Sequence, residues 1–254
     1  MKKLPFSQTM RGRISATPLL PAKAKPIALV QTKLCALLHD EDVAASIAGV
    51  CTAEPKTAAL IAGILAHSPF LTRIMRQHPD WLIKTLEDDP DHRFAGLLSE
   101  VMQIGRLNSS LDDVMLHLRM LRKCIALHIA LADHSGLWSV DQVVEALSRF
   151  ADAAVDLALR VALRDSQSSG KIMLEDAFEY PERSGITVLA MGKHGAGELN
   201  YSSDIDLIVI FEPADVPVAL GREPLDVVIR IIKDVVRILH EPTGGGYVFR
   251  TDLR

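Results

Sequence analysis

The sequence predicts a mixed fold, an all-α N-terminal domain followed by the start of an α/β domain. Three observations carry that prediction. Apolar residues recur at helical spacing from Pro26 to residue 165. A polar stretch, Asp165-Ser-Gln-Ser-Ser-Gly170, then interrupts the pattern and reads as a flexible boundary. Beyond it, two short apolar runs flank a glycine-rich segment, and a further helix and a last alternating stretch follow. The expected domains are therefore 27–165 and 166–254, the second incomplete at its C-terminus, behind a flexible basic leader over 1–26.

The leader holds six Lys/Arg, no acid and four prolines, a composition unsuited to burying a core. Ser68-Pro69 sets a capping hydroxyl before a proline at the first helical position, and Leu71, Ile74 and Met75 continue a helix that His78-Pro79 ends. Between Leu111 and Leu131 the apolar positions 111, 114, 115, 118, 121 and 125 form one stripe, which leaves Arg119, Arg122 and Lys123 on other faces. Ser139 with Gln142 makes a capping box. The helix it opens keeps a 3.6-residue apolar period from Val140 to Ala162. Polar breaks fall at Asp88–Asp91 and His134–Gly136.

In the second domain, Ile186–Met191 is a β-branched apolar run expected as a buried strand, and Gly192, Gly195 and Gly197 break it into a loop. A second strand starts at Asp204 and alternates to Phe211. Side chains repeat with period two, so Asp204 and Asp206 share a face with Ile208 and Ile210, about 7 Å apart along the backbone. Two carboxylates on an apolar strand need a counter-charge, and their spacing suits divalent metal. Pro213–Pro224 reads as a loop. Leu225, Val228, Ile229, Ile232, Val235, Val236 and Leu239 then make a helix face, closed by Glu241-Pro242 and Gly244–Gly246. Tyr247–Arg254 alternates as a strand, with Asp252 on the side of Val248 and Arg250.

The glycines at 192, 195 and 197 let backbone N–H groups approach a phosphate, and the hydroxyls of Ser202 and Ser203 add donors. Neither a Walker A loop nor a dinucleotide fingerprint is present. Gly192-Lys193 is followed by His194 rather than Ser or Thr, and Gly195-Ala-Gly197 leads to a strand without a crossover helix. Lys193 is placed either on a phosphate or at the surface, and His194 is read as a loop residue rather than a general base. His117, His128 and His134 lack metal spacing with a partner acid.

Net charge is −4, and from Ile186 onward seven Lys/Arg face ten Asp/Glu, so no basic face is available for nucleic acid. Cys35, Cys51 and Cys124 form no C-x-x-C pair and read as reduced thiols of a cytoplasmic protein. No apolar run approaches the ~20 residues that span a bilayer, and the N-terminus lacks a signal peptide's apolar core. Nucleic-acid and membrane partners are not expected.

A strand, a glycine-rich turn and then Ser-Asp-x-Asp entering a second strand resembles the nucleotidyltransferase superfamily. Within it, GKHGAGELNYSSDIDL resembles the bifunctional glutamine synthetase adenylyltransferases, from whose usual wording His194 and Ala196 depart. FRTDLR, at 249–254, matches the context of that family's third metal-binding carboxylate. The resemblance implies that Asp204, Asp206 and Asp252 hold Mg²⁺, as two ions, and act as the catalytic carboxylates. The phosphates would be bound by Gly192, Lys193, Gly195, Gly197, Ser202 and Ser203. It further implies a bacterial cytoplasmic transferase acting on glutamine synthetase, with phosphate and adenine nucleotides as small ligands and the PII signal protein as partner. The Glu198-Leu-Asn200 wording resembles the N-terminal copy, which removes AMP by phosphorolysis. A chain ending two residues past Asp252 is expected to have little activity alone. A PII uridylyltransferase-like or small-molecule adenylyltransferase, or a non-catalytic docking fragment for glutamine synthetase or PII, remains compatible with the residues.

Overall fold

The structure is a computed structural model that describes residues 4–18, 25–107 and 110–254. The chain divides into two compact units, 1–97 with 123–143, and 98–122 with 144–254, so the boundaries fall inside three long helices. The expected mixture of a helical part and the beginning of an α/β part is what the elements show.

The first unit is helical. Its elements are α1 (Met10–Arg13), α2 (Pro26–Lys33), α3 (Glu41–Ala53), α4 (Pro55–His67), α5 (Pro69–Gln77) and α6 (Pro79–Glu87), with segments of α7 (Pro90–Leu107), α8 (Leu111–His134) and α9 (Val140–Ser168). Proline opens α2, α4, α5, α6 and α7, where its missing N–H would have been unpaired anyway and its fixed φ is already helical. The Ser68 hydroxyl accepts from the Leu71 amide at 3.2 Å, as its sequence position predicts. The 139–142 capping box also forms, with the Ser139 amide donating to Gln142 and the Gln142 amide to Ser139. α4 supplies the centre of this core, burying Leu60, Ile61, Ala62, Ile64 and Leu65. A second cluster joins Phe94, His128 and Trp138. The Trp138 ring sits edge-on to the other two at 5.6 Å, and its indole N–H donates to Asp91 at 2.9 Å. His128 is held by the Pro90 carbonyl at 2.9 Å, and burial pushes its pKa down to about 4, so it stays neutral near pH 7.

Two segments differ from their sequence reading. Residues 1–3 and 19–24 of the leader lie outside the described residues, but 4–18 are anchored through the buried Thr9, Met10 and Ile14, with 4–8 exposed. Met10 is fully buried, its amide donates to Asp88, and Arg11 pairs with Glu54. A short apolar insertion in a basic stretch was enough to anchor it. The polar run 165–170 is mostly helix, since α9 continues to Ser168 with Ser166 buried, and Gly170 ends it at φ +65°. Serine is tolerated there because its hydroxyl can return to the preceding turn, as Ser169 does to Asp165.

In the second unit a three-stranded sheet runs in the order β1 (Ile186–Met191), β2 (Ile205–Phe211), β3 (Thr251–Leu253). β1 and β2 are antiparallel, with Met191 opposite Asp206, while β2 and β3 are parallel, with Asp206 opposite Asp252. The glycine-rich segment starts as a helical turn, α10 (Gly192–Gly195), rather than open loop. α11 (Pro224–His240) buries Val227, Val228, Ile231, Ile232, Val235, Ile238 and Leu239. This face is rotated from the expected one, leaving Leu225 and Ile229 exposed, because apolar residues surround most of the helix and the pattern allows either stripe. The last strand is also shorter than its alternation predicts. The amides of Val248 and Phe249 both donate to the Leu239 carbonyl at the end of α11 and so leave the ladder.

Candidate functional site

The two faces of the sheet differ. Ile205 and Leu207 are buried, and Leu207 shares a small cavity with Val188, Ala190 and residues of α9. The opposite face carries Asp206, Ile208 and Ile210 together with Leu189 and Met191, of which Leu189, Met191 and Ile210 are exposed. The period-two expectation thus holds, and the face that carries the carboxylates is the open one. Parallel register sets Asp252 beside Asp206 across neighbouring strands, which lie about 4.8 Å apart.

Each carboxylate has a distinct neighbour. Arg250 Nε donates to Asp204 and its Nη2 donates to the Ser202 carbonyl at 3.2 Å. Arg254 Nη2 donates to Asp206 at 3.2 Å. Asp252 makes no side-chain hydrogen bond among the described residues. Nor, among those residues, do three carboxylate, imidazole or thiol groups converge as an ion cage. The donor set nonetheless fits a hard divalent ion, which takes oxygen ligands from one or two carboxylates and leaves positions for phosphate and water. The guanidinium groups on Asp204 and Asp206 show that these oxygens already receive cations.

The glycine turn is built against the same carboxylates. Gly192 has φ +57°, and a Cβ there would lie 3.1 Å from Asp206 Oδ2, so a side chain would crowd the site as well as strain the backbone. At Gly195 a Cβ would come within 2.4 Å of the Ala190 carbonyl, a backbone contact that cannot yield. Gly197, at φ +73°, lies in open space. Lys193 is exposed, and its ammonium faces the Asn200 side-chain oxygen at 3.2 Å in the orientation that satisfies both groups. Ser203 uses its hydroxyl to accept the Asn200 amide at 3.2 Å, closing a turn, and Ser202 sits in the left-handed region at φ +59°. Of the six residues expected on phosphate, Gly192 alone is brought against a carboxylate by the distances given. The others shape or flank the turn.

His194 departs from a plain loop residue. It is buried, its Nε2 meets Asp152 Oδ1 at 2.8 Å, and its Nδ1 is buried without a partner. An ionised carboxylate only accepts, so Nε2 is the donor in this contact. One helical turn away, Ser148 Oγ accepts the Leu199 amide at 3.2 Å. Two polar residues four apart on α9 thereby tie both ends of the glycine turn to one helix face. Neither residue was singled out from the sequence, because each serves a partner more than forty positions away.

A second support holds β3. Arg119, placed by the sequence off the apolar stripe of its helix, is nonetheless fully buried. Its guanidinium donates to the carbonyls of Gly246, at 2.8 Å, of Met115, at 2.8 Å, and of Glu241. Arg122, one turn along, lies over the Tyr247 ring at 5.2 Å, and Phe150 meets Phe249 at 5.4 Å. Backbone carbonyls carry no side-chain signature, so the sequence alone gave no sign that a cationic residue would be spent on them. Together these contacts fix the turn that delivers Asp252.

All three cysteines are free and buried, and burial pushes the Cys51 thiol up to about 12. Among the described residues no single helix is long and apolar enough to cross a membrane.

Comparison with known proteins matches residues 58–254 to the family described as GlnE, glutamate-ammonia ligase adenylyltransferase. A bifunctional glutamine synthetase adenylyltransferase/adenylyl-removing enzyme of Rhodopseudomonas palustris (strain ATCC BAA-98 / CGA009) is 42% identical over 210 residues, 82% of this chain and 21% of the relative. Its namesake in Xanthobacter autotrophicus is 39% identical over 210 residues, 83% of this chain and 21% of that protein. Another from Rhodopseudomonas palustris (strain BisB5) is 37% identical over 247 residues, 96% of this chain and 25% of that protein. The chain therefore spans about a fifth to a quarter of the length of these curated relatives. The matched segment contains the whole of the Gly192–Asp206 turn and the strand bearing Asp252, and with it the chain belongs to the glutamate-ammonia ligase adenylyltransferase family.

Proposed function

We propose that this chain carries the nucleotidyl-transfer site that removes AMP from an adenylylated tyrosine of glutamine synthetase, in the bacterial cytoplasm and under the influence of a PII signal protein. The observation that carries the reading is the parallel register of Asp206 with Asp252, with Asp204 two residues along the same open face. The names of the relatives support the substrate, and the Glu198-Leu-Asn200 wording supports removal over addition.

Asp204, Asp206 and Asp252 would hold Mg²⁺, whose chemistry when bound is to offset phosphate charge and stabilise a departing phenolate oxygen. Gly192 leaves the space above Asp206 clear for a phosphate. His194 and Ser148 keep the turn that bears Gly192 on α9, and Arg119 keeps the segment that bears Asp252 in place. In the reaction an oxygen of hydrogen phosphate bonds to the AMP phosphorus while the bond from that phosphorus to the tyrosyl oxygen breaks. The phosphate's proton ends on the tyrosine, so ADP and unmodified glutamine synthetase are the products.

A protein of the relatives' length carrying these residues, incubated with adenylylated glutamine synthetase, Mg²⁺ and labelled inorganic phosphate, is expected to place label in the β position of ADP. Release of AMP would indicate hydrolysis, and ATP-dependent tyrosine labelling from a protein whose only intact site is this one would reverse the direction. Either result contradicts the proposal.

A further inference from the structure

The cations on the aspartates have a chemistry of their own. Arg250, Asp252 and Arg254 alternate along one strand edge, so by period two their side chains leave on the same face, beside Asp204 and Asp206 of the neighbouring strand. Arg250 pairs with Asp204 and Arg254 with Asp206, and in both pairs the guanidinium is at least half exposed. Exposed ion pairs of this kind are weak and exchange readily. Meanwhile Lys193 faces Asn200, and the Ser203 hydroxyl is committed to its own turn, so neither is directed to the carboxylates.

We propose that Arg250 and Arg254 form a phosphate-binding pair that rests on the metal-binding carboxylates and transfers to a phosphate dianion once a divalent cation occupies them. This rests on the metal reading of the three aspartates given above. Charge favours the exchange. Three carboxylates and two guanidinium groups leave the cluster at −1, which repels phosphate; one divalent cation brings it to +1. The guanidinium fork matches phosphate oxygens in pairs, as it does carboxylate, so it loses one partner and gains an equivalent one. Arg250 also keeps its hold on the Ser202 carbonyl, which anchors the side chain beside the site during the exchange. The ligand is defined by its phosphate chemistry, free or at the end of a nucleotide.

The test uses the chain itself. Mn²⁺ is titrated by its paramagnetic resonance signal into the wild type, Arg250→Gln, Arg254→Gln and Asp252→Asn, with folding checked by circular dichroism. Inorganic phosphate, and separately ADP, is then titrated calorimetrically into the Mg²⁺-loaded proteins. The expected signature has opposite signs. Arg250→Gln binds Mn²⁺ about threefold or more tighter, because a competitor is gone, and binds phosphate roughly tenfold weaker, because a charge-assisted pair of bonds is lost. Arg254→Gln follows in the same directions and guards against a local defect at Arg250. Weakening for inorganic phosphate alone assigns the pair to the free anion, and weakening for both ligands assigns it to a shared phosphate position. If the wild type binds Mn²⁺ and Asp252→Asn does not, yet both arginine variants match the wild type, the phosphate pair is wrong and the metal site stands. If the wild type binds no Mn²⁺, both fall together.

Discussion

Charged and polar groups are used in opposite ways in the helical unit and on the open sheet face. Around Trp138 they are tied to fixed partners beside a buried ring cluster: His128 Nε2 on the Pro90 carbonyl, the indole on Asp91, Arg93 on Asp88 at 3.1 Å. At the start of β2 they are exposed, paired across a strand edge, and one carboxylate has no hydrogen-bond partner among the described residues. Burial converts a polar contact into stability, because breaking it leaves an unsatisfied group in a low dielectric. Exposure leaves the pair nearly neutral for stability and free to change partners. The contrast separates groups that hold the fold from groups available for chemistry, and it can be tested by asking which substitutions move stability and which move ligand binding.

The largest effect on stability is expected at Arg119, whose guanidinium is buried within the sheet unit's own support. Arg119→Met removes the guanidinium bonds to the carbonyls of Met115, Glu241 and Gly246, the last of which keeps the Thr243 amide, and should cost on the order of 3 kcal/mol in denaturant unfolding. Hydrogen exchange should show the loss first at the amides of Val248 and Phe249. A wild-type midpoint would mean that the turn before β3 is held by something else.

His128 supplies the next effect, through pH. Burial, its largest cause, lowers the folded pKa to about 4, against about 6.5 in the unfolded chain. Between those values the unfolded state binds a proton that the folded state refuses, so stability is full above pH ~6.5 and falls as pH drops toward 4, by roughly 3 kcal/mol. His128→Gln should be less stable at pH 7 and should lose less between pH 6.5 and 4. Parallel pH profiles for the two proteins would contradict the assignment.

The His194 tether is smaller. Asp152→Asn keeps the shape of the contact and weakens its charge assistance, at a cost of about 1 kcal/mol or less, since the Asp152 side chain is largely exposed. Its expected signature is local, a loss of exchange protection at Leu199 and Gly197 with the helical unit unchanged. At the other end of the scale, Arg250→Gln should leave the melting midpoint where it is while altering ligand binding. A large drop in melting temperature there would break the distinction between the two regions.

Much of this was legible in the chain, and the reason differs by element. Capping at Ser68 and Ser139 and the limits of Ile186–Met191 follow from local chemistry that involves only neighbouring residues. Period two put Asp204 and Asp206 on one face, and the structure added that the face is open. Tertiary choices were not legible. α11 has apolar residues around most of its girth, so only packing selects the buried stripe. Met10 and Ile14 are scattered apolar residues in a basic stretch, and their burial depends on a pocket built elsewhere in sequence. Arg119 and Asp152 serve partners more than forty positions away, a backbone turn and a glycine loop, and neither leaves a mark at its own position. Asp252 was identified through the resemblance of its surrounding residues, and the register that pairs it with Asp206 became visible only in the sheet.

The central claim is that Asp204, Asp206 and Asp252 together hold divalent metal on the open face. Mg²⁺ titration of the isotope-labelled chain, followed by amide NMR, tests it most directly. The account predicts saturable shifts confined to residues 204–206, 250–254 and the Gly192 turn, abolished in Asp252→Asn while the rest of the spectrum is unchanged. Shifts scattered over the acidic surface, or an identical response from Asp252→Asn, would contradict it.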